Sequence, residues 1–180
     1  MIERLLPARA ALLVIDIQER LLAAMPTEIA AQTVKNVKIL IETATRFELP
    51  IVVSQQYPKG LGATVPELEA ALPANAHRYD KVEFSAPSSP AFPALQRDQW
   101  IVTGMETHVC VYQSVRDLVG NSTVHVVADA VASRTKQNWR TGLDLMTRLG
   151  AIMTTTEVCV FDLLERAGTD HFKTLSKAIR

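Results

Sequence analysis

The chain has 180 residues, 48% of them hydrophobic, and its 19 basic residues balance 19 acidic ones. That length fits one domain, 1–180, able to bury a substantial core, and the composition excludes a disordered chain. Balanced charge without a local basic cluster argues against nucleic acid or an anionic membrane surface as partner, and no apolar run approaches membrane-spanning length.

The opening M-I-E-R-L-L-P-A-R-A lacks the apolar core of a signal peptide. Two cysteines without a C-x-x-C spacing point away from a disulfide framework or structural zinc. The expected setting is a reducing cytoplasm, where a thiol stays free.

In chain order, Ala10–Ile15 is a continuous apolar run ending at Asp16, the pattern of a central parallel strand buried on both faces. Glu28–Phe47 carries Ile29, Thr33, Val37, Leu40, Ile41, Ala44 and Phe47 along one side of a long helix. Ile51–Val53 is a second buried strand, followed by a loop marked by Pro58, Gly60 and Gly62. A short helix over 66–72 and a weak third strand over His77–Asp80 come next, then a Ser- and Pro-rich loop from Val82 to Pro93. Trp100–Val102 makes a fourth strand, Thr123–Ala128 a fifth and Ala151–Met153 a sixth. Helices fill the gaps: one closed by Gly120, one over Gln137–Leu149 closed by Gly150, one after the capping-box pattern Thr154–Glu157, and one in the last ten residues.

This alternation without repeats or linkers predicts an α/β fold, a doubly wound, Rossmann-like sheet of six parallel strands with helices on both faces. The order 3-2-1-4-5-6 places strand 1 beside strand 4, and ligands bind beyond the carboxyl ends at that switch point. Asp16 ends the first of these strands, and the fourth leads to Cys110. No G-x-G-x-x-G follows the first strand and no P-loop occurs, so no nucleotide cofactor is expected.

The stretch Q-W-I-V-T-G-M-E-T-H-V-C (Gln99–Cys110) reads as strand, tight turn and helix start presenting one cysteine. With Thr107 as N-cap, Cys110 falls in the first helical turn, where the helix dipole favours a low-pKa thiolate. Cys159, in E-V-C-V-F-D-L-L, reads as packing. A cysteine nucleophile needs a base or cation and donors for an oxyanion. Asp16 is the candidate base, Lys81 the candidate cation that holds Cys110 as thiolate, and the amides from Glu106 to Cys110 the candidate donors. From residue type alone each has a structural alternative: a turn aspartate, a solvated loop lysine, a core cysteine.

V-I-D-I-Q (Val14–Gln18), the lysine of Y-D-K-V-E-F-S (Tyr79–Ser85), G-M-E-T-H-V-C (Gly104–Cys110) and A-D-A-V-A-S-R (Ala128–Arg134) together resemble the isochorismatase-like cysteine hydrolase superfamily. The loop Gln56–Leu68 is similar to its isochorismatase-domain-containing branch. The resemblance implies an Asp16, Lys81, Cys110 triad acting through a covalent cysteine intermediate. It also implies a non-proline cis peptide near Met105–Glu106 and an oxyanion hole from the Glu106 and Cys110 N–H groups. Gln18, Gln56, Tyr57, Phe84 and His108 are candidate pocket residues, and Arg134 is expected to hold a loop.

Nicotinamidases of the superfamily bind a metal through an Asp-x-His pattern after the second strand. Here that region reads S-Q-Q-Y-P-K-G, and His77, His108, His125 and His171 are scattered, so no metal is expected. The expected activity is hydrolysis of a small molecule, at an amide C–N bond before an enol ether, by a homodimer or homotetramer. A non-enzymatic interaction protein and a thiol redox sensor are the competing readings. The intact Asp, Lys and Cys set argues against the first, and the lack of a nearby resolving cysteine against the second.

Overall fold

In the computed structural model, which describes residues 3–179, the first apolar run becomes β1 (Ala10–Ile15), buried at every position. A short helix, α1 (Glu19–Ala23), absent from the expected elements, precedes the long α2 (Thr27–Arg46). Then come β2 (Ile51–Gln56), the single turns α3 (Pro58–Leu61) and α4 (Pro66–Glu69), and β3 (His77–Lys81). Beyond the Ser- and Pro-rich stretch lie β4 (Gln99–Met105), a π-helical turn over Thr107–Val111 and α5 (Tyr112–Leu118). The chain continues through β5 (Thr123–Ala132), α6 (Lys136–Arg148), β6 (Ile152–Thr154), α7 (Thr156–Leu164) and α8 (Asp170–Ala178).

The six strands form one sheet in the order β3-β2-β1-β4-β5-β6, every neighbouring pair parallel. This is the expected doubly wound α/β architecture. Val37 and Leu40 of α2 and Cys159 and Leu163 of α7 pack with the Leu12 and Val14 face of β1. Val115 and Leu118 of α5 and Met146 of α6 pack with Leu13 and Ile15 on the other. Each such side chain, fully buried, contributes roughly 1.5–3 kcal/mol from apolar surface removed from water.

Three strands outrun their apolar cores. β2 extends to Gln56 because Gln55 and Gln56 stay in register with Asp80 and Lys81 of β3. Backbone pairing, not side-chain polarity, decides where a ladder ends. β5 runs four residues past the expected end, beyond a register shift opposite Val102–Gly104. Asp129 is accommodated because its Oδ1 accepts hydrogen bonds from the Thr156 N–H (2.8 Å) and hydroxyl (3.0 Å) at the start of α7. β4 reaches Met105 through Gly104, which has φ 121°. A Cβ there would lie 2.0 Å from the Ile15 carbonyl oxygen, so only glycine lets the ends of β1 and β4 approach. That approach sets Asp16 beside the turn that carries Cys110.

Candidate active site

Asp16 leaves the sheet with φ 52° and is fully buried. Its N–H donates to the Ser54 carbonyl at 3.1 Å, a continuation of the β1–β2 ladder. Both carboxylate oxygens are held: Oδ1 accepts the Ser54 hydroxyl at 2.7 Å and Oδ2 accepts Lys81 Nζ at 2.7 Å. Lys81 is the last residue of β3, two strands from β1, and strands lie about 4.8 Å apart. The side chain reaches Asp16 from the strand end, past Gln56 of the intervening β2. On the way Nζ donates to Gln56 Oε1 at 2.7 Å, and it reaches the carbonyls of Glu83 (3.2 Å) and Phe84 (3.3 Å). The ion pair has no exposed side-chain surface at either end.

The turn from β4 is built differently from the expected capped helix. The Met105–Glu106 peptide is cis, as the resemblance implies. Glu106, not Thr107, is the N-cap, and Thr107 opens a π-helical turn. The Glu106 carbonyl accepts the N–H groups of Val109 (3.0 Å) and Val111 (3.2 Å), the amides on either side of Cys110. Gly142 of α6 lies against this turn; a Cβ there would come within 2.8 Å of the Thr107 carbonyl oxygen. The Ser114 hydroxyl donates to the Cys110 carbonyl at 2.6 Å and accepts the Ala86 N–H at 2.8 Å, tying turn, α5 and the Ser-rich loop together.

The thiol is not the low-pKa thiolate expected from its place at a helix start. Burial, then the negative charge of Asp16, push the Cys110 thiol up to about 12, against the pull of Lys81. The thiol faces the Asp16 carboxylate rather than open solvent, and that charge opposes whatever the helix start contributes. Burial likewise pushes the Asp16 carboxyl above the usual carboxylate range, against the charge and hydrogen bond of Lys81 and the Ser54 hydroxyl. The outcome is a neutral thiol beside a carboxylate of enhanced basicity, one arrangement in which a proton can pass from sulfur to oxygen.

The candidate pocket residues separate into two groups. Gln18 and Gln56 have their amides engaged inside the protein. Gln18 is fully buried, with Nε2 donating to the carbonyls of Gln56 (3.0 Å) and Gly62 (2.7 Å) and Oε1 accepting the Gln56 N–H (2.7 Å). The Gln56 amide is divided between Lys81 and the Val82 carbonyl (3.0 Å). Both glutamines brace the Lys81 side. Tyr57 and Phe84, each 54% exposed, stand at the outer edge of the same strand ends, beside Val82. His108 is half-buried, its Nδ1 3.1 Å from the Ser133 hydroxyl. Arg134 does hold a loop: its N–H and Nε meet the buried Glu106 carboxylate at 3.0 and 3.2 Å.

Ser54 and Tyr79 complete the site without being among the residues that the sequence singles out. Ser54 is a hydroxyl buried in the second strand directly after I-V-V, and a polar residue in so apolar a run was its only sequence signal. Tyr79 pairs with it in register and donates to the Ala86 carbonyl at 3.1 Å.

A cavity of about 500 Å³ opens between the start of α2, the end of β5 and the start of α6, with Ile29, Val131 and Trp139 in its wall. Ser133, the partner of His108, also lines it, but Asp16, Lys81 and Cys110 do not. Volume singles out that cavity; the shifted carboxyl of Asp16 and thiol of Cys110, which converge with Lys81, single out the triad as the candidate site. Among the described residues, no group of three or more His, Cys, Asp or Glu side chains is placed to hold a metal, and no helix is long and apolar enough to cross a membrane.

Comparison with known proteins identifies the family and agrees with the fold. The family model described as Isochorismatase domain matches residues 10–158. The "Secreted isochorismatase effector Isc1" of Phytophthora sojae is 34% identical over 98% of this chain and 87% of its own length. The structure described as MAR1 ribonuclease from Caenorhabditis elegans superposes with a TM-score of 0.92 at 35% identity, over 98% of this chain and 92% of that one. N-carbamoylsarcosine amidase from Thermoplasma acidophilum superposes with a TM-score of 0.64 at 25% identity, over 83% of this chain and 97% of that one.

Proposed function

From the premise that this chain belongs to the isochorismatase family, we propose that it is a cysteine hydrolase of small-molecule amides, with Asp16 as base, Lys81 as fixed cation and Cys110 as nucleophile. The observation that carries the reading is the fully buried Asp16–Lys81 pair, 2.7 Å apart, against the thiol of Cys110. A buried ion pair is costly to desolvate and adds little stability of its own, so its placement beside a lone thiol is best explained by chemistry.

The steps follow from the groups present. Asp16 takes the Cys110 proton as sulfur attacks the amide carbon, and the carbonyl electron pair moves onto oxygen. The N–H groups of Glu106 and Cys110 receive that oxyanion. Collapse breaks the C–N bond, and Asp16 returns the proton to the departing amine, leaving a thioester. Water, deprotonated by Asp16, attacks the thioester; the C–S bond breaks and sulfur recovers the proton, releasing a carboxylic acid. Lys81 keeps Asp16 ionised between these transfers. No step calls on a metal or cofactor.

The amide preference is supported by the likeness to N-carbamoylsarcosine amidase. The ribonuclease activity named for the C. elegans protein is not part of this reading, because 19 acidic residues offset 19 basic ones and leave no excess charge for a phosphate backbone. A redox role fits poorly with a thiol pushed up to about 12. Both cysteines are free, which suits a reducing, cytoplasmic setting, and the exposed Val158 and Phe161 on α7 suit a homo-oligomer.

The test is a panel of small amides assayed for amine release, with intact-mass detection of an acyl adduct. Wild type is expected to turn over at least one amide and to carry an adduct on Cys110. Cys110→Ala is expected to lose on the order of 10⁴-fold or more in kcat. Turnover that survives Cys110→Ala would refute the reading.

A further inference from the structure

Asp16 is gripped from two sides, and only the Lys81 side belongs to the triad. Its other oxygen, Oδ1, receives the Ser54 hydroxyl at 2.7 Å, and Ser54 is fully buried. An ionised carboxylate accepts hydrogen bonds and donates none, so the hydroxyl must be the donor. Ser54 cannot turn elsewhere easily: β2 pairs it with Ile15 on one side and Tyr79 on the other, and its carbonyl accepts the Asp16 N–H. Tyr79, anchored on the Ala86 carbonyl, closes the far side of this small polar group.

We propose that Ser54 is a positioning residue whose hydroxyl fixes the orientation and the ionised state of Asp16, so that the carboxylate is ready to take the Cys110 proton. This rests on the cysteine-hydrolase reading above. Lys81 places its donor on Oδ2, and the thiol of Cys110, whose proton Asp16 is to take, cannot serve as a fixed anchor. A second donor on Oδ1 supplies that anchor and adds a charge-assisted hydrogen bond in a dry setting, where such bonds are strongest.

The groups facing Asp16 set what a pH experiment reads. They are Lys81 and Tyr79 from β3 and Cys110 from the π turn, with Glu106 beyond the thiol and Glu83 beyond Tyr79. Burial and the Asp16 charge push the Tyr79 hydroxyl far above its usual range, so it stays neutral through the acid and neutral region. The acid limb of Cys110 reactivity therefore reports Asp16. Without the Ser54 donor, the protonated carboxyl is favoured and that limb moves to higher pH.

The experiment follows the rate of iodoacetamide modification of Cys110 against pH, read by mass spectrometry of the Cys110 peptide, in wild type, Asp16→Asn, Ser54→Ala and Ser54→Thr. Circular dichroism confirms that each variant is folded. Expected are an acid limb in wild type, its absence in Asp16→Asn, an upward shift of about 1 pH unit in Ser54→Ala, and a limb restored toward wild type in folded Ser54→Thr. Should the added methyl group unfold Ser54→Thr, the Ser54→Ala profile decides alone. If Asp16→Asn abolishes the limb while Ser54→Ala overlays wild type, Ser54 has no such role and the hydrolase reading stands. A folded Ser54→Thr that fails to restore the limb also refutes donation by the hydroxyl. A limb that persists in Asp16→Asn overturns both.

Discussion

The two cysteines of this chain share nearly every property that a survey of burial would record. Cys110 is 6% exposed, Cys159 is fully buried, and burial pushes both thiols up to about 12. Their neighbours differ. Cys159 sits on α7 in the apolar layer with Leu163 and the β1 face, its nearest polar contact a weak 3.8 Å approach to the Thr154 hydroxyl. Cys110 sits on a turn pinned by Gly104, Glu106 and Gly142 and looks onto a carboxylate that is itself held by Lys81 and Ser54. A buried thiol becomes a candidate nucleophile through the base it faces, and neither its burial nor its own pKa distinguishes the two.

Under this account the largest effect on stability comes from the Cys110 side. Lys81→Met keeps the side-chain volume but leaves Asp16 buried without its cation, and should cost about 3–5 kcal/mol in urea unfolding at neutral pH. The sign of its pH dependence follows from Asp16. The folded carboxyl lies above its ordinary value of 3.8 and rises further without Lys81. The cost is therefore absent at low pH, where the carboxyl is protonated in both folded and unfolded chains; it grows as pH rises from the wild-type folded value toward the higher folded value of the variant, and levels off above that. A cost that is the same at pH 3.5 and pH 7.5 would mean that lost packing, not lost charge, is responsible.

A smaller effect is expected on the Cys159 side. Cys159→Ala removes one buried sulfur and should cost roughly 1–2 kcal/mol. Amide turnover and the pH profile of Cys110 should be unchanged. Any change in that profile would show the two thiols to be coupled and would remove the contrast.

Much of this arrangement could be read before any coordinates. Five apolar runs, a weaker polar sixth at His77–Lys81 and their spacing with the helices specify a doubly wound sheet, because strands buried on both faces have few other ways to pack. Asp16 and Cys110 followed from the switch point. What could not be read was the wiring. Lys81 resembles a solvated loop lysine until the register of β2 and β3 shows its side chain crossing to Asp16. Gln18 and Gln56 were expected at a pocket wall because they are polar and near the triad; their amides proved to be consumed by backbone and by Lys81. The Cys110 thiol departs from the sequence expectation for a related reason. Sequence shows a helix start but neither the depth of burial nor the carboxylate opposite. Ser54 was hidden by being a single hydroxyl in an apolar strand.

The central claim is that Asp16 draws the proton from a neutral Cys110 thiol, in place of a preformed thiolate. The most direct test is the thiolate absorbance of Cys110 near 240 nm against pH, taken as the difference between each protein and its Cys110→Ala counterpart, in wild type and in Asp16→Asn. The account predicts no thiolate in wild type through neutral and mildly alkaline pH, since burial and Asp16 hold the thiol up to about 12. It predicts a midpoint at least about 1 pH unit lower in Asp16→Asn, where the opposing charge is gone, even though that variant has lost its base. A wild-type thiolate already present at neutral pH, or superimposable curves for the two proteins, would contradict it.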